Sequence, residues 1–197
     1  MNNILKSFFL CFLLLSMSNC AVIGIATTAT TGTIIAEDRT VGDIIDDKGM
    51  AIKVKHQYVK NSVDGSLGGI SLEVYEGRVL LIGYVKSTEY KDEAEKLAWV
   101  VRGVKEVIND IAISEKNEAS LPGDVWISTK LRSKFLVNKE IHSVNYKIMV
   151  YNKVVYLLGV AETQKELETA LNIAGEVQGV KKVKNYILVK SDIRRES

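Results

Sequence analysis

Residues 79–113 and 155–189 are two copies of one pattern, and that duplication confines the chain to two related modules. A shift of 76 positions lays Val79-Leu80-Leu81-Ile82-Gly83 on Val155-Tyr156-Leu157-Leu158-Gly159 without a gap. The same shift puts Ala94 on Ala170, Ala98 on Ala174, Val101 on Val177, and Gly103-Val104-Lys105 on Gly179-Val180-Lys181. Val107, Asn109 and Ile111 then meet Val183, Asn185 and Ile187. A shared preference for strand-forming residues produces two or three such coincidences, not a whole register.

Both copies follow the same local rules. Ile70, Leu72 and Val74 alternate with polar neighbours, as do Tyr146, Ile148 and Val150, so each run reads as a half-buried strand. Glu76-Gly77 and Asn152-Lys153 supply a turn before the next strand, which predicts a hairpin. Ser87 and Thr163 stand where they can cap a helix, and Thr163 with Glu166 has the spacing of a capping box. Ala94, Leu97, Ala98 and Val101 share one helical face, repeated as Ala170, Ile173, Ala174 and Val177. Gly103 and Gly179 are expected to end these helices in the left-handed region. A last alternating strand follows in each copy. With one helix ahead of each hairpin, the expected class is α+β: two tandem α-β-β-α-β units, each a small three-stranded sheet with both helices on one face.

The V-x-L-x-G strand, the small-residue helix and the G-V-K-x-V-x-N turn, each present twice, resemble the BON domain. Asp38-Arg39-Thr40-Val41-Gly42, Asp46-Asp47 and Asp124-Val125-Trp126-Ile127 extend the likeness to outer-membrane lipoproteins built from two BON domains. That resemblance implies a non-catalytic protein on the periplasmic face of a diderm outer membrane. It further implies association with anionic phospholipid, division sites and envelope integrity.

The N-terminal residues fit such an address. Lys6 precedes an uncharged run from Phe8 to Met17, too short to span a bilayer but suited to a signal-peptide core. Cys20 follows, so residues 1–19 read as a lipoprotein signal peptide and Cys20 as the lipidated residue. Met17 and Asn19 stand where Leu and a smaller residue are usual, and an uncleaved anchor is the alternative. Ala21 after the cysteine, by the sorting rule of diderm lipoproteins, directs the chain to the outer membrane. Residues 20–47 read as lipidated N-terminus and tether, with Val41–Asp47 open to packing on a domain. The first domain is expected over 48–114, a linker with the chain's single proline over 115–123, the second domain over 124–191 and a tail over 192–197. Cys11 leaves with the signal peptide and Cys20 takes lipid, so neither a disulfide nor a cysteine nucleophile is expected. With 26 basic and 24 acidic residues, no global field drives the chain onto nucleic acid or membrane, and any electrostatic function must be local.

The two modules differ most in their first helices. In the first, Met50, Val54 and Tyr58 have core spacing; in the second, Ile127, Leu131 and Phe135 do. Trp126, Thr129, Ser133 and Leu136 then fall on another face of the second helix, flanked by Lys130 and Arg132. An indole suits a membrane interface because its ring is apolar while its N–H stays wet. The residues alone leave Trp126 open between a membrane contact and packing on the first domain or on Glu115–Gly123. The resemblance implies phospholipid binding by Trp126, Thr129, Lys130, Arg132, Ser133 and Leu136. No aromatic stands at the matching Gly49, so the first domain is expected to contribute little to lipid contact.

Leu80, Ile82, Tyr156 and Leu158 project from the strand face opposite V-x-L-x-G and need cover, so the two domains are expected to pack there. Catalysis has no constellation behind it. His56 and His142 lack metal-like spacing, and Gly65–Gly69 lacks the Lys-Ser/Thr of a phosphate loop, so no cofactor or metal is expected. Two function classes therefore lead: binding of anionic phospholipid, or a scaffold for outer-membrane assembly proteins.

Overall fold

The computed structural model describes residues 41–61, 67–116 and 121–191. The expected signal peptide, Cys20, the tail 192–197 and the tether up to residue 40 lie outside the described residues. The first half runs α1 (Val41–Asn61), β1 (Ile70–Tyr75), β2 (Arg78–Val85), α2 (Thr88–Trp99) and β3 (Glu106–Ile113). The second repeats it as α3 (Leu121–Val137), β4 (Tyr146–Tyr151), β5 (Val154–Ala161), α4 (Gln164–Gly175) and β6 (Lys182–Val189). In each sheet the second strand is central, antiparallel to the first and parallel to the third. A parallel pair needs a crossover, and α2 and α4 provide it.

The first helices start earlier than their apolar spacing predicts. Helix α1 begins at Val41 rather than Lys48, so residues expected as tether form its first turns. Helix α3 begins at Leu121, inside the expected linker, with Pro122 in the first turn, where a missing N–H breaks no helical bond.

What fixes these helices on their sheets is a buried aspartate in each. Asp47 accepts the backbone N–H groups of Glu76 (2.8 Å) and Gly77 (3.0 Å). Asp124 does the same for Asn152 (2.9 Å) and Lys153 (2.8 Å). Both turns are two-residue hairpin turns with positive φ at each central residue: 53° and 80° in the first, 48° and 63° in the second. Glu76, Asn152 and Lys153 carry a side chain into a region glycine prefers, and the carboxylate's two charged hydrogen bonds hold them there.

The glycine of V-x-L-x-G answers to a close approach. A Cβ on Gly83 would lie 2.1 Å from the Gly69 carbonyl oxygen, and one on Gly159 would lie 2.0 Å from that of Asn145. Gly103 and Gly179 have the expected positive φ, but not at the helix ends. Helices α2 and α4 close at Val100 and Glu176 in ordinary right-handed geometry. The glycines serve the next turn, bridged by Val104 N–H to the Val101 carbonyl and Val180 N–H to that of Val177. Thr163 caps α4 by accepting the Glu166 N–H at 3.1 Å. The buried Glu166 carboxylate turns away from the reciprocal arm of a capping box and takes the N–H groups of Glu162 and His142 instead. Ser87 stands at the N-cap of α2 in extended backbone, but its hydroxyl accepts no backbone N–H of the first turn.

Alternation along the central strands builds three cores. Val79 and Leu81 face α1 and α2 and pack with Val54, Tyr58, Ala94 and Ala98. Val155 and Leu157 face α3 and α4 and pack with Leu131, Phe135, Ala170 and Ala174. Leu80, Ile82, Tyr156 and Leu158 point the other way and form a third cluster, with Tyr75 and Val160, between the two sheets. Leu80 and Leu158 are fully buried there, and each such burial contributes roughly 1.5–3 kcal/mol relative to exposure. The order of layers is helices, sheet, sheet, helices.

A polar clamp closes the sheet–sheet interface. The Asp110 carboxylate receives Lys184 Nζ at 2.5 and 2.6 Å and the Tyr186 hydroxyl, while Arg78 donates to the Tyr186 carbonyl at 2.9 Å. Burial, then the bond to Asp110, pushes the Tyr186 phenol far above its ordinary range, so it remains a donor. Asp110 and Tyr186 are equivalent positions under the 76-residue shift. A residue that touches its own counterpart is what a local two-fold arrangement requires. The replacement of one acid by a tyrosine breaks that symmetry: two first domains paired this way would set Asp110 against Asp110.

Candidate functional site

Helix α3 has more apolar surface than its core uses. Ile127, Leu131 and Phe135 are buried, with the Phe135 ring edge-on to Tyr146 at 5.4 Å between centroids. The opposite side carries Trp126, Lys130, Ser133 and Val137 in line, at successive spacings of four, three and four. Trp126 is 48 % exposed, Val125 63 %, Leu136 68 % and Val137 77 %. The Trp126 side chain is therefore not sealed against the first domain.

The polar residues on this side divide into two kinds. Ser133 turns its hydroxyl back to the Thr129 carbonyl (3.0 Å), and Ser128 does the same to Val125 (3.0 Å), so both satisfy themselves within the helix. Thr129 and Lys130 are exposed, and Lys130 has no ion-pair partner among the described residues. Arg132 is committed differently. Its guanidinium donates to the Ile148 carbonyl at 2.7 Å and ties α3 to β4, an edge strand. The four remaining guanidinium donors are not taken up by that bond. The face that results is an apolar strip with one free ammonium along it and a guanidinium at its edge.

Sequence reasoning named Trp126 and Leu136 and missed Val125 and Val137, the exposed aliphatics beside them. It also missed Asp124, whose role depends on a turn almost thirty residues away. Among the described residues no group of three His, Cys, Asp or Glu is placed to hold a metal. His56 is exposed, and His142 pairs through Nδ1 with Glu166 at 3.2 Å. No helix among the described residues is long and apolar enough to cross a membrane.

Comparison with known proteins bears on the whole of this arrangement. The BON-domain pattern matches residues 46–115 and 123–191. The chain is similar to the outer membrane lipoprotein DolP of Haemophilus influenzae, 34 % identical over 168 residues that cover 85 % of this chain and 86 % of that one. An Anaplasma centrale protein encoded in the gshII 5′ region is 39 % identical over 155 residues, 77 % of this chain and all of that one. The 21 kDa hemolysin of Actinobacillus pleuropneumoniae is 32 % identical over 155 residues, 77 % of this chain and 79 % of that one.

Proposed function

The chain belongs to the BON-domain family, as a two-domain, DolP-like member, and from that premise we propose that it is a non-catalytic outer-membrane lipoprotein. In this reading Cys20 carries the acyl chains on the periplasmic face, and α3 supplies a second contact with anionic phospholipid. The relative named an outer membrane lipoprotein aligns over most of both chains, which supports the location. Lipid contact is supported by one observation above the others: Trp126 stays half exposed on a helix whose core side is already complete. A ring of that size costs least at a headgroup boundary, where its N–H can remain hydrated. Val125, Leu136 and Val137 widen the apolar strip. Lys130 then reaches a phosphate. By holding anionic lipid in addition to its anchor, the protein supports envelope integrity, with division sites as one place of action.

A scaffold for outer-membrane assembly proteins is the second reading. A shallow groove favours it, where Leu121, Val125 and Arg132 of α3 meet Ser71 and Tyr84 of the first sheet. Flotation of the purified chain with vesicles decides between them. Binding that rises with phosphatidylglycerol content and is weakened in Trp126→Glu, with unchanged thermal unfolding, is the expected result. Equal binding by wild type and variant would leave the groove as the better site.

A further inference from the structure

Helix α1 has an outward face of its own. Ile45, Ile52 and Val59 recur every seven residues and are 62 %, 68 % and 81 % exposed. Seven residues at ~100° each bring the chain back to nearly the same side, so the three form one line, and Val54 of the core stands across the helix from Ile45. Lys48 and Lys55 flank this line on one side, Lys53 and Lys60 on the other, all exposed. From Lys48 to Asn61 the helix contains no Asp or Glu, and none of the four lysines has an ion-pair partner among the described residues. Helix α2 lies beside it in the same layer, joined by the Tyr58 hydroxyl to the Ala94 carbonyl (2.9 Å), and ends on exposed Trp99 and Val100.

A protein partner is ordinarily held by aromatic or arginine anchors in pockets. A convex aliphatic line with ammonium groups on both sides of Ile52 and Val59, and acids only at its Ile45 end, fits something else, namely the acyl boundary and phosphates of an anionic bilayer. Layer order then adds a consequence. Helix α1 covers the outer side of the first sheet and α3 that of the second, while the sheets meet back to back. The two helices lie in opposite outer layers, so a flat bilayer laid against one outer layer does not reach the other. We propose that the outward face of α1 is a second contact for anionic bilayer, and that the chain can thereby join two membrane surfaces. The first half stands without the α3 reading; the joining of two surfaces rests on the proposed anchor at Cys20 or on α3 holding the other one.

The test reads capture between vesicles. Full chain reconstituted in phosphatidylcholine vesicles is mixed with a labelled second population containing phosphatidylglycerol, and co-sedimentation of the label is measured. Wild type captures the second population. Trp126→Glu still does so through α1, and adding Ile52→Glu and Val59→Glu lowers capture at least tenfold, to the level of purely neutral vesicles. Lys53→Glu with Lys55→Glu in the Trp126→Glu background gives the same loss without touching the apolar line, and circular dichroism checks that each variant remains folded. Capture at background by Trp126→Glu alone would overturn the proposal and leave α3 as the lipid site. Capture unaffected by Trp126→Glu but lost in Ile52→Glu/Val59→Glu would uphold the α1 contact and remove the α3 one. Equal capture of neutral vesicles would overturn the charge argument, and no capture by wild type would overturn both.

Discussion

Helices α1 and α3 are the same element twice, alike on one side and different on the other. Asp47 matches Asp124 as the clamp on the hairpin, and Met50, Val54 and Tyr58 match Ile127, Leu131 and Phe135 in the core. On the outside, Gly49 stands where α3 has Trp126, Ile52 where it has Thr129, and Lys55 where it has Arg132. The inward side answers to a sheet that is itself duplicated, so its residues keep their size and order. The outward side touches little else in the fold, the Arg132 bond to the Ile148 carbonyl apart, and is free to diverge. Differences between the two helices therefore concentrate on their outward faces, while similarities report architecture.

If that division is right, substitutions on the inward side should act on stability and act alike in both copies. Asp47→Ala and Asp124→Ala each strand two turn N–H groups and release left-handed residues. Each should cost roughly 2–3 kcal/mol in urea unfolding, since hydrogen bonds to charged groups contribute about that much. A loss confined to one copy would break the equivalence.

The next contrast lies within α3. Lys130→Gln should weaken binding to anionic vesicles by about 1 kcal/mol and leave unfolding unchanged, as expected for one basic side chain near an anionic surface. Arg132→Gln should instead lower stability by about 1 kcal/mol, because it removes the bond to the Ile148 carbonyl. The reverse pattern would mean that Arg132 is the lipid ligand and Lys130 a bystander. The smallest effect is expected at Gly49, where an added Cβ meets nothing within 4 Å. Gly49→Ala should stabilise α1 by roughly 0.5–1 kcal/mol through helix propensity alone. Gly49→Trp places an indole at the counterpart of Trp126 and should tighten anionic-vesicle binding; no change there would show that the ring on α3 depends on its local surroundings.

Much of this was legible in the sequence because its signals are local. Alternation in β2 and β5 told the two sides of each sheet apart, and the four residues Leu80, Ile82, Tyr156 and Leu158 were picked out from that alone. Gly83 and Gly159 were legible only as part of a repeated strand motif: each is required by a carbonyl just ahead of the neighbouring strand, and a sequence does not show which atoms approach. Asp47 and Asp124 were conspicuous only by resemblance, since their partners lie 28–30 residues away across the hairpin. The start of α1 was hidden because its first turns expose Ile45 and are rich in acids, a composition that also suits a tether. Trp126 stood out by its ring, whereas Ile45, Ile52 and Val59 on α1 passed as ordinary helix residues until their exposure was known.

The central claim is that Trp126 enters the lipid boundary, and its own fluorescence reports this most directly. The chain has two tryptophans, so Trp99→Phe leaves Trp126 as the sole indole. On titration with phosphatidylglycerol-containing vesicles its emission should shift to the blue and become shielded from iodide, with no such change for phosphatidylcholine alone. Vesicle binding that leaves the Trp126 emission and quenching unchanged would contradict the account.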